Sequence, residues 1–125
     1  MCSSTPSRRA GLLDRVGMML GGVCLVHCLA LPLLFALLPG IGGLLPGHHF
    51  VHILLLAIAM PISGLALYNG WRRRGDRLAP VMGGIGLMVL SAALIVGEAG
   101  ETPITMTGSL LLVAAHIRNW RALAR

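Results

Sequence analysis

The sequence has little charge. Only 11% of its 125 residues are Asp, Glu, Lys or Arg, against 56% hydrophobic residues and a further 17 glycines. Soluble domains carry about 25% charged residues to cover their surface. With a mean hydropathy of +0.84, the natural solvent for most of this chain is lipid. Lysine is absent, since all ten basic residues are arginine. Aromatic residues number five, and no basic stripe interleaves with them, so the net charge of +6 does not mark a nucleic-acid surface. The three cysteines make no disulfide framework: Cys2 stands alone, and Cys24 and Cys28 are four apart on an expected helix, where disulfide geometry is rarely met. There is no nucleophile–base arrangement, phosphate loop or dinucleotide fingerprint, so neither an enzyme nor an organic cofactor is expected.

What is present is a set of four apolar segments, at residues 16–38, 50–70, 79–97 and 104–120. At about 1.5 Å per helical residue the first three reach across a hydrocarbon core of about 30 Å. The fourth is shorter and requires tilt, local thinning or its flanking residues. The first is too long for a cleaved signal sequence and lacks a small-x-small site before a polar break, so it is read as a retained helix. The expected fold is all-α, an integral membrane four-helix bundle. Residues 1–15 form a polar N-terminal tail, 16–120 the transmembrane domain and 121–125 a basic C-terminal tail.

Arginine placement sets the orientation. Arg8, Arg9 and Arg15 precede the first segment, Arg72, Arg73, Arg74 and Arg77 fill the second connection, and Arg118, Arg121 and Arg125 close the chain. The connections at 39–49 and 98–103 contain no Lys or Arg. The positive-inside rule therefore puts both termini of a multi-pass membrane protein in the cytoplasm. Pro80 and Pro103 stand near the starts of the third and fourth segments, where a missing N–H is tolerated. Gly17 and Gly21, and the "MGGIG" run at 82–86, are small-residue faces that let helices approach closely.

The chemistry is concentrated in "GVCLVHCLALP", residues 22–32. On a helix Cys24, His27 and Cys28 share one stripe. Pro32 has no N–H for the carbonyl of Cys28, so this depth should face protein, water or an ion rather than acyl chains. Thiolate and imidazole are soft or borderline donors, suited to Hg(II), Cu(I) or Zn(II) and poorly suited to Mg(II) or Ca(II). The other ionisable residues order themselves across the bilayer. His52, with His48, His49, Glu98 and Glu101 as weaker candidates, forms an outer collecting group. The Cys24–His27–Cys28 site lies about 12–18 Å in from the cytoplasmic edge, and His116 is an exit ligand. Asn69 and Asn119 read as helix caps. A haem held by His27 and His116 would need ligands at equal depth, which their positions do not provide.

These features resemble the MerC family of mercury-resistance membrane proteins. The resemblance runs from about Leu13 to Arg121 and rests on "LDRVGMMLGGVCLVHCLALP", on four membrane segments with both ends inside, and on "AAHIRNWR". It implies uptake of Hg(II) through a close cysteine pair followed by a proline, matched here by Cys24, Cys28 and Pro32, with delivery towards a cytoplasmic acceptor. This sequence has no cysteine pair near its C-terminus, and its mixed sulfur–nitrogen donor set also suits zinc. Two functions are therefore carried forward: transport of a soft metal ion, and a structural or regulatory metal-binding membrane protein that transports nothing. The expected partners are the ion, the bilayer, a cytoplasmic metal acceptor and, because four short helices make a narrow path, further copies of the chain.

Overall fold

Long runs of Leu, Ile, Val and Ala with few breakers fold as helices, because in hydrocarbon every backbone N–H and C=O must be bonded within its own segment. The computed structural model describes residues 5–38, 40 and 47–124. They form α1 (Thr5–Leu37), α2 (His48–Arg74), α3 (Leu78–Val96) and α4 (Glu98–Ala124), with no strand among the described residues. α1, α2 and α3 each contain a stretch long and apolar enough to cross a membrane. α4 has 27 residues, or about 40 Å, and its hydropathy is lowered by polar side chains that it turns inward.

Two boundaries differ from the sequence expectation. α1 begins at Thr5 and runs through most of the stretch read as a tail, which brings Asp14 into the bundle. α4 begins at Glu98, so the expected outer connection at 98–103 is helix and Pro103 lies inside it. A single residue explains this: Gly97, at φ 86° and ψ 167°, makes the whole turn, and its carbonyl accepts the N–H of Glu101. At the opposite end Gly75 closes α2 in the left-handed region, with its N–H bonded back to the Trp71 carbonyl.

At this arginine-bearing end Arg118 forks onto Asp76, with Nε donating to Oδ2 at 2.8 Å. Partial burial raises the Asp76 carboxyl. Hydrogen bonds from the Leu78 N–H and from Arg118, together with the guanidinium charge, outweigh burial and hold it below the usual carboxylate range. The pair ties the α2–α3 connection to α4, and as a half-exposed bridge it contributes up to about 1 kcal/mol.

α4 packs against all three other helices, as does α2, while α1 and α3 stand apart on opposite sides. The bundle is apolar outside and polar within. Ile95, Met88 and Leu37 are among its most exposed side chains, whereas Asp14, His52, Ser63, Glu101, Thr105, Ser109, His116 and Asn119 are buried. Small residues let the helices close around these groups. A Cβ on Gly17 would collide with the His116 ring, and one on Gly70 with the Asn119 amide. Gly86 and Gly108 bring α3 and α4 into backbone contact: a Cβ at either would lie 3.0 Å from the other's carbonyl oxygen. Gly17 and Gly21 on α1, and Gly83 and Gly86 of the run in α3, thus lie at helix contacts.

Gly17→Ala or Gly70→Ala should overpack the bundle and lower its stability by about 1–3 kcal/mol, read as a fall in thermal midpoint in detergent. Gly64→Ala and Gly84→Ala, where a Cβ meets nothing within 4 Å, should leave the midpoint unchanged or raise it slightly.

Candidate metal centre

Cys24 and Cys28 lie one helical turn apart on the buried face of α1. His52 comes from the second turn of α2 and Glu101 from the first turn of α4. The two sulfurs and one His52 ring nitrogen all lie within 4.8 Å of one another. Cys28 Sγ is 3.2 Å from His52 Nε2, and His52 Nδ1 is 2.7 Å from Glu101 Oε1.

The carboxylate decides the roles. Glu101 accepts the Nδ1–H, so Nε2 presents its lone pair and the Cys28 thiol donates to it. A metal ion bound between Sγ and Nε2 would take the place of that thiol proton. A carboxylate behind a ligating imidazole fixes the tautomer and raises its basicity. Two thiolates also balance the charge of a divalent ion, which matters where the idealised transfer of even a bare monovalent ion from water costs of order 20 kcal/mol.

Beside the centre is a cavity of about 20 Å³, lined by Cys24, His52, Thr105 and Ser109 on its polar side and by Leu20, Leu56 and Leu112 among its apolar residues. That is room for about one water molecule. The buried hydroxyl of Thr105 makes no hydrogen bond in the structure and Ser109 lines the same cavity, so such a water would find partners.

Of the residues singled out by sequence, Cys24, Cys28 and His52 come together. His27 flanks them, its ring edge-on to that of His52 at 5.8 Å between centroids. His49 reaches Glu101 from the surface, with Nδ1 3.4 Å from Oε1. The side chains of His48 and Glu98 lie outside the described residues. The outer collecting group and the thiolate site, expected at different depths, therefore share one centre.

His116 is held elsewhere. Its Nδ1 donates to Asp14 Oδ1 at 2.8 Å, and its Nε2 is 2.9 Å from Ser63 Oγ. Asn119 is no cap: its amide donates to both Asp14 oxygens, at 3.0 and 2.8 Å, and to the Ala66 carbonyl at 3.1 Å. Sequence reasoning missed Asp14, Ser63, Thr105 and Ser109. The signal was available in α4, where Glu101, Thr105, Ser109, Leu112, His116 and Asn119 recur at spacings of four and three and so share one face.

A sequence model of the family described as MerC mercury resistance protein matches residues 14–121. The chain belongs to the MerC family. No curated protein and no solved structure matches it. MerC membership and three helices able to span a bilayer make it a multi-pass membrane protein of the mercury-resistance group. Its Cys/His cluster fits the chemistry of that group, because soft sulfur donors suit a soft ion.

Glu101→Gln keeps the size of the side chain and removes the charge behind His52. Affinity for Hg(II) or Zn(II), measured by competition with a chelator of known strength, should fall about 10–100-fold.

Proposed function

We propose that this protein carries a soft divalent ion across the bacterial inner membrane, with Cys24, Cys28 and His52 as its ligands and Glu101 holding His52 in position. Hg(II) is the ion to which MerC membership points, and Zn(II) accepts the same donors. Both termini lie in the cytoplasm, where all ten arginines then stand. The observation that carries the reading is the convergence of two thiols and an imidazole from separate helices on one buried point.

Three protein donors hold an ion without enclosing it, so a fourth position stays open to an incoming or departing ligand. Among the described side chains His49, half-exposed above Glu101, is the first imidazole met from outside, and His27 offers a second beside His52. The ion exchanges onto the sulfurs as the thiol protons leave, since thiolate is the binding form. Release then needs a competing thiol, because the next polar groups inward are oxygen donors and an imidazole already bonded on both sides. A cytoplasmic thiol acceptor supplies it.

Proteoliposomes loaded with a thiol trap should accumulate labelled Hg(II), and Cys24→Ser/Cys28→Ser should reduce accumulation to the level of empty vesicles. Uptake that survives the double substitution overturns the mechanism. Tight stoichiometric binding without flux selects a metal-binding protein that transports nothing.

A further inference from the structure

One buried hydroxyl beside the metal centre has nothing to bond. A serine or threonine within a helix can turn its hydroxyl onto the carbonyl four residues back. Ser91 does so, donating to the Leu87 carbonyl at 2.8 Å, and Thr107 donates to the Pro103 carbonyl at 2.9 Å. Ser63 is taken up by His116. Thr105 is only 2% exposed, and its Oγ1 finds no partner among the described residues. A hydroxyl withheld from water in this way is destabilising, so its placement calls for a ligand.

Thr105 lines the cavity of about 20 Å³ that also touches Cys24, His52 and Ser109. A water needs about 10–15 Å³ of such space and two to four polar partners. Thr105 and Ser109 supply two hydroxyls, and the Cys24 sulfur is a weak acceptor. The rest of the wall is leucine, alanine and glycine, so the cavity suits one small oxygen ligand and nothing larger. The register of α4 makes this arrangement. Glu101, Thr105 and Ser109 follow one another at intervals of four residues. The helix that braces His52 with a carboxylate therefore presents hydroxyls on its next two turns.

Hydroxyls are hard donors and poor ligands for the soft ion that the sulfurs select. They suit a ligand of the ion better than the ion itself. We propose that this cavity holds the ion's fourth ligand, a single water molecule, and that Thr105 and Ser109 are the positioning residues that keep it beside Cys24 and His52. The proposal rests on Cys24, Cys28 and His52 being metal ligands; it does not rest on transport.

The consequence is a rule of selectivity. Three protein donors and one water are the ligand set of an open tetrahedral zinc site. Mercuric ion is softer, and two thiolates satisfy it with any further donor held weakly. The positioned water therefore adds to the binding of Zn(II) and little to that of Hg(II), so Thr105 sets the margin between the two ions. The same water is the ligand that an incoming thiol displaces, because its bond to the ion is the one that does not tie the ion to the protein.

The test compares the full chain in detergent with Thr105→Val, which exchanges the hydroxyl for a methyl of similar size, and with Ser109→Ala. Without metal, Thr105→Val should lower the thermal midpoint, because the water loses a partner. An unchanged or raised midpoint is the response of a hydroxyl buried against nothing, and it overturns the water. With metal, competition against chelators of known strength should give a Zn(II) affinity about tenfold lower in Thr105→Val and an unchanged Hg(II) affinity. Retained Hg(II) binding also shows that the variant is folded; should it not fold, Ser109→Ala carries the same comparison. Equal losses for the two ions, or no loss for Zn(II), overturn the positioning role.

X-ray absorption by the Zn(II)-loaded, unsubstituted protein should find two sulfurs and two lighter atoms around the ion. A single lighter atom overturns the water as a ligand. If the unsubstituted protein binds neither ion through Cys24 and Cys28, the reading of the metal centre fails, and the midpoint of Thr105→Val still decides whether the cavity holds water.

Discussion

In hydrocarbon a polar side chain finds its partner inside the protein or has none, and that constraint organises this fold around α4. The helix presents Glu101, Thr105, Ser109, His116 and Asn119 on one face, all buried. Exposed to lipid, each would lack a partner at a penalty of kilocalories per group. Turned inward, they set what the other helices must supply. His52 meets Glu101, Asp14 meets His116 and Asn119, and Ser63 completes the His116 pair. The apolar residues can then face outward without cost, which gives the bundle its inverted distribution. Apolar burial between helices drives little here, because lipid tails are as apolar as leucine.

The glycines follow from the same constraint. His116 and Asn119 are bulky for positions where helices must touch, and Gly17 and Gly70 are the vacancies that admit them. A small-residue stripe is usually read as a means of bringing backbones together. On α1 it also makes room for an imidazole, so packing and polar satisfaction are one arrangement.

The fold was legible in the sequence because hydropathy and arginine placement are averages, and averages survive errors of a few residues. Four helices, the small-residue contacts and the placing of Cys24 and Cys28 on one buried face all follow from local pattern. The partner of those cysteines was harder. Matching His52 to Cys28 depends on the relative depth of two helices, and that depth depends on where α1 begins. Reading residues 1–15 as a tail placed the thiols too near the N-terminal end of α1 and removed Asp14 from the bundle. Starting the fourth segment at Ile104 likewise cut Glu101 away from the stripe it heads. Hydropathy cannot reveal such a stripe, since a helix with its polar face inward has the same mean as one with that face outward. The spacing of its polar residues does reveal it.

The polar face of α4 is broken once, at Leu112, and the break has a physical consequence. A continuous row of hydroxyls, carboxylates and imidazoles through a bilayer invites a chain of water and therefore a proton leak. Leu112 is buried and joins Leu20 and Leu56 against the cavity beside the metal centre. At about 20 Å³ that cavity accommodates about one water and no file of them. Ser109 and His116 are seven residues apart, about 10 Å along the helix, so one apolar layer separates the sulfur-rich group from the group around Asp14. In the transport proposed above, an ion moving from the sulfurs towards Asp14 would have to cross this layer, and the buried Leu112 side chain would have to move aside.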